Sequence, residues 1–113
     1  MESTRQQKIS KLLMKDLGEL FQKEVPELIL SKSMITVTKV SITRDLSFAR
    51  VYLSIFAAPN KDDVISKIGK ANKSIRMLLG KKIRHQVRII PELAFELDDS
   101  LDYIDRIEEL LND

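Results

Sequence analysis

Cysteine is absent from this chain of 113 residues, and histidine occurs once, at His85. Without thiols there is no disulfide or thiolate metal site to staple a fold, and nothing argues for a secreted, oxidising setting. Gly18, Gly69 and Gly80 stand apart, so no Walker or dinucleotide loop is present to cradle phosphate. No apolar run approaches the roughly 20 residues of a membrane span, and Met1 to Gln7 are polar where a signal peptide is hydrophobic. These absences predict a soluble, cytoplasmic protein with no membrane association. Acid–base catalysis needs convergent groups with shifted pKa values, and the candidates are scarce. His85 sits in a basic run and reads as a surface or strand-start residue. The Asp98-Asp99 pair precedes Ser100 and Leu101, so helix capping is its expected use rather than cation binding. We expect no catalytic site and no metal.

What the chain does have is 43% apolar side chains, enough for one modest core and one domain spanning 1–113. Its formal charge of +2 hides a sharp division. Between Val64 and Pro91 stand Lys67, Lys70, Lys73, Arg76, Lys81, Lys82, Arg84 and Arg88, with no Asp or Glu. From Glu92 onward the sign flips, with nine acids against Arg106 alone.

Ile9, Leu12, Leu13, Leu17, Leu20 and Phe21 fall on one side of a helix that Ser3 or Thr4 is placed to cap and that must stop near Val25, ahead of Pro26. Lys8, Lys11 and Lys15 fall on its opposite side. Met34–Thr43 and Ala49–Phe56 read as a hairpin joined at Arg44-Asp45-Leu46-Ser47. Ile35 and Val37 have one parity and Val40 and Ile42 the other, which predicts a bulge near Thr38 or Lys39. Asn60 caps a second helix, whose stripe of Val64, Ile68, Ala71, Ile75, Leu78 and Leu79 runs unbroken to about Lys82, weakening near Gly80. A third strand follows from Val87 to Leu97, with Pro91 implying an edge or bulge. A last helix carries Leu101, Ile104, Ile107, Leu110 and Leu111. The expected class is α+β, a three-stranded sheet with helices on one face.

The acid-free segment forgoes the Glu–Lys pairs that stabilise an ordinary solvated helix face, so it reads as a surface for a polyanion. Lys8, Lys11 and Lys15 are a possible second patch, although alone they would be an ordinary solvated face. Aromatic support is thin: Tyr52 and Phe56 share one side of a strand with Arg50, where packing suits Phe56 and the use of Tyr52 stays open. Charge alone leaves two alternatives standing, a protein-interaction module for an acidic partner and, more weakly, a DNA-binding role with no visible recognition helix.

With these elements placed, the sequence resembles the bacterial ribosome-binding factor A family over nearly its whole length. One block is Val40 to Tyr52, with Asp45-Leu46 followed by Ala49, Val51 and Tyr52. The more specific set is Ile75-Arg76, Leu79-Gly80, Arg88, Pro91-Glu92-Leu93, Phe95, Asp98 and Ser100 in order. The resemblance implies a type II KH-like fold in which a helix–kink–helix reading Ala-x-Gly replaces the GxxG loop. Here Ala71-Asn72-Lys73 stands in that place, with lysine at the glycine position. The resemblance further implies binding to the small (30S) ribosomal subunit and its 16S RNA, a role in late maturation and RNA end processing, and growth in the cold. It implies no cofactor and no small-molecule substrate, and we expect a monomer when free. The expected RNA-contacting residues are the eight cations above with Asn72, and Lys8, Lys11 and Lys15.

Overall fold

The computed structural model describes residues 3–31, 33–56 and 60–98. Ser3 opens helix α1 (Thr4–Lys23) with a capping box: its hydroxyl accepts from the Gln6 amide, and the Gln6 side chain accepts from the Ser3 N–H. Gln6 is buried because its Nε2 also donates to the Ile42 carbonyl, 3.0 Å away, tying the start of the helix to the end of the first strand. Leu13, Leu17, Leu20 and Phe21 are fully buried, and Lys8, Lys11 and Lys15 are exposed, as the 3.6-residue period requires. The helix ends before Val25, and Pro26 sits in the opening turn of the short α2 (Val25–Leu28), where its missing N–H costs nothing.

Strands β1 (Met34–Ile42) and β2 (Phe48–Phe56) pair antiparallel, and the register shifts between Val37 and Lys39. Thr38 is the extra residue. The bulge lets Ile35, Val37, Val40 and Ile42 all face the core despite their mismatched parity. Thr38 Oγ1 lies 2.6 Å from Asp98 Oδ2, which ties the bulge to the residue just after the third strand. In the turn, Asp45 Oδ1 accepts from Thr43 Oγ1, Ser47 Oγ and the Ser47 amide, and these bonds, that of Ser47 foremost, hold its carboxyl below the usual aspartate range.

Helices α3 (Lys61–Lys70), capped by Asn60, and α4 (Asn72–Ile83) lead into β3 (Glu92–Leu97), which pairs parallel to β2. The sheet order is β1-β2-β3, so β3 is an edge strand reached by a helical crossover. The core gathers Val51, Leu53, Ile68, Ile75, Leu79 and Ile83 over the α1 stripe, with Phe21 and Phe95 edge to face at 5.5 Å.

Three expectations need correction or fall outside view. The second helix is not continuous: it breaks at Ala71. The stripe could not reveal this, because the break preserves the seven-residue step from Ile68 to Ile75 and so the inward phase. Past Gly80 the helix runs on to the fully buried Ile83, in keeping with a stripe expected to reach about Lys82. The third strand begins at Glu92 rather than Val87, since Pro91 has no N–H for a ladder and the Ile90 and Pro91 carbonyls are taken by Arg76. The last helix and the capping role of Asp99 lie outside the described residues. Among those described, no helix is long and apolar enough to cross a membrane.

Candidate nucleic-acid interface

The basic segment folds into α3, the break, α4 and the stretch 84–91, and its cations divide by what they touch. At the break Ala71 has φ −89° and ψ 4°, and its N–H is shared by the Lys67 and Ile68 carbonyls at 3.1 Å. No left-handed residue is needed there, so lysine at position 73 is compatible with the kink. Asn72 stabilises it: Nδ2 donates to the Leu93 carbonyl at 2.8 Å. Asn72, expected at the RNA surface, thus has a donor committed to the fold.

Arg76 is similarly engaged, donating from Nε to the Pro91 carbonyl at 3.0 Å and from Nη2 to that of Ile90 at 2.6 Å. Its charge stays near the surface with donors to spare. Lys67 pairs with Asp63 one turn earlier at 3.3 Å, an exposed contact of small energetic weight. Lys82 pairs with Glu19 of α1 at 3.0 Å; the hydrogen bond pulls the Glu19 carboxyl down and raises the Lys82 ammonium. Arg84 donates from Nε to His85 Nε2 at 3.3 Å, and both are exposed. Lys70, Lys73, Lys81 and Arg88 are exposed and form no ion pair among the described residues. Lys73 and Arg76 line a shallow groove with Met77, Gly80 and Ile90.

The second patch is only partly joined to the first. Lys11 and Lys15 line a groove beside Ile35, Thr36 and Val37 of β1, while Glu19, within reach of Lys15's field, takes Lys82. Tyr52, half-buried on the face of β2 away from the helices, lies under Lys39, whose Nζ is 5.7 Å from the ring centroid. Arg50 on that face approaches Glu96 at 3.9 Å. Phe56 is partly exposed at the strand end, opposite Met34.

Arg5 was not among the sequence candidates. It shares a cleft with Arg88, together with the turn residues Asp45 and Leu46. No spacing rule links positions 5, 45 and 88; only the packing of α1 against the hairpin and the 84–91 stretch does.

A three-stranded mixed sheet with helices on one face places the chain in the KH-like class of α+β domains, with the broken helix pair α3–α4 standing in place of a glycine loop. A model of the ribosome-binding factor A family matches residues 5–111, and the chain belongs to that family. It is 41% identical over 112 residues to ribosome-binding factor A of Cytophaga hutchinsonii, covering 99% of this chain and 84% of that protein. The Chlorobaculum tepidum protein is 43% identical over 110 residues, covering 96% and 89%. In structure, the chain is similar to the crystal structure of ribosome-binding factor A from Thermus thermophilus, with a TM-score of 0.67 at 20% identity over 81% of this chain and 94% of that one. It is also similar to a homology model of the Thermus thermophilus protein fitted into a cryo-electron-microscopy map of a complex with the 30S subunit, with a TM-score of 0.63 at 24% identity over 80% and 91%.

Proposed function

We propose that this protein is a cytoplasmic ribosome assembly factor that binds the small (30S) subunit through 16S ribosomal RNA and assists late maturation, including processing of the RNA ends, with its greatest importance in the cold. It acts as a monomer, without catalysis, cofactor or small-molecule substrate. It favours one conformation of the immature RNA by binding that conformation more tightly than the other. Family membership supports this reading, as does the related Thermus thermophilus protein placed in a 30S complex.

The observation that carries it is the set of Lys70, Lys73, Lys81 and Arg88, exposed and free of acids among the described residues, along and after the broken helix pair. These contact phosphates first. Lys67, Lys82 and Arg84 exchange weak surface partners for phosphates, Arg76 adds its remaining donors, and Asn72 holds the kink that presents Lys73. Lys8, Lys11 and Lys15 form a second contact. Cosedimentation with purified small subunits over a salt series tests this. With about five cations on single-stranded RNA, the log–log slope is expected near −3.5. A flat response, or retention by acidic proteins and not by subunits, rejects the reading.

A further inference from the structure

The cleft shared by Arg5 and Arg88 lies where the start of α1, the β1–β2 turn and the stretch after α4 meet. Helix α4 is 12 residues long, so this cleft is about 18 Å along the helix from the kink. It is therefore separate from Lys70 and Lys73. We propose that it takes up one unstacked pyrimidine nucleotide of an RNA strand, base inward and phosphate on the two arginines; this rests on the RNA-binding reading above.

Size selects the ring. The cleft holds about 150 Å³, and an apolar protein cavity of that volume holds one benzene. A six-membered pyrimidine is covered by it, whereas a fused purine projects from its open side. Ile9, Leu46, Val87 and Ile89 supply the apolar half of the lining. Ile89, 65% exposed, and the half-buried Leu46 of the turn both line the cleft. Leu46 has φ 62°, a left-handed backbone that costs a leucine energy, and it is held so by its N–H bond to the Thr43 carbonyl and by the Asp45 turn. Strain of this kind persists where the surroundings impose it, and it places the Leu46 side chain on the cleft.

The polar groups match a nucleotide. Arg5 and Arg88 form no hydrogen bond or ion pair among the described residues, so two guanidinium groups are available to one phosphate. The carboxyl of Asp45 is held ionised by its hydroxyl and amide bonds on Oδ1, which leaves Oδ2 to accept from the amino or imino N–H of a pyrimidine edge. Gln86 offers both a donor and an acceptor. Unpaired bases are read in this way, edge by hydrogen bonds and faces by packing.

The test is an amide-resolved NMR titration of the full chain with cytidine, uridine and adenosine monophosphates, and with hexauridylate. Shifts at residues 5, 45–47 and 86–89 are expected with the pyrimidines, several-fold weaker binding with adenosine monophosphate, and tighter binding of the hexamer. Arg5→Gln should weaken the pyrimidine response about tenfold without changing the melting temperature. Equal response to purine and pyrimidine, or shifts confined to residues 70–73, overturns the proposal. Equal affinity of hexamer and monomer overturns the RNA strand as the source. A protein that cosediments with subunits but ignores pyrimidines refutes the cleft alone. One that takes pyrimidines at the cleft but never cosediments refutes the ribosomal reading and supports the cleft.

Discussion

The side-chain Nδ2 of Asn72 lies 2.8 Å from the carbonyl oxygen of Leu93, so the first residue of α4 is bonded directly to the edge strand β3. This bond satisfies a backbone acceptor on an edge and sets the angle at which the second basic helix leaves the kink. Asn72→Ala should leave that part-buried carbonyl without its donor, at a cost of about 1–3 kcal/mol. The melting temperature is expected to fall by several degrees or more. Asn72→Asp should be worse, since a carboxylate faces a carbonyl. An unchanged melting temperature in both would mean that the kink is held by other contacts.

Lys73 occupies the place where the resemblance leads one to expect glycine, yet Ala71 breaks the helix with ordinary negative φ. Lys73→Gly should therefore keep the kink, cost no more than about 1 kcal/mol, and lower the salt slope of RNA binding by about 0.7. Urea denaturation gives the first quantity and binding over a salt series the second.

Lys70, Lys73, Lys81 and Arg88 form no hydrogen bond or ion pair among the described residues. Replacing all four by glutamine should leave the unfolding midpoint nearly unchanged, because isolated surface substitutions are close to neutral. It should also cut the salt slope by roughly 3 on single-stranded RNA. Loss of folding instead would assign these cations a structural role.

The Glu19–Lys82 pair predicts a pH profile. Glu19 is depressed from 4.5 in the folded state, so its contribution is present above 4.5 and is lost as pH falls through the lower folded value. Lys82 is raised from 10.5, so its contribution is complete below 10.5 and disappears only as pH rises beyond the higher folded value. The pair should thus contribute evenly across neutral pH and fade in acid. Thermal melts of Glu19→Gln against the parent should show a difference at neutral pH that shrinks in acid. The same variant releases Lys82 and should bind RNA more tightly.

Much of the fold was legible in the residues. The α1 stripe, the Asp45 turn and the bulge at Thr38 follow from periodicity and parity, because each is a local rule about which side chains face the core. The kink was not legible from the stripe, since helices with or without it place Ile68 and Ile75 inward. The start of β3 was misplaced because Val87 and Ile89 alternate as a strand would, while the side chain that claims the neighbouring carbonyls, Arg76, comes from another helix.

The candidate site divides the same way. Sequence by itself determined that eight cations stand together without an acid from Val64 to Pro91, because charge is a property of composition and needs no contact. Tertiary structure decided which of them are engaged, Arg76 by the Ile90 and Pro91 carbonyls and Lys82 by Glu19, and it set Arg88 beside Arg5 at one cleft. Those partners are remote along the chain. Hydrogen bonds and ion pairs act over a few ångströms, and only the packing of α1, the hairpin and α4 brings such residues within that range.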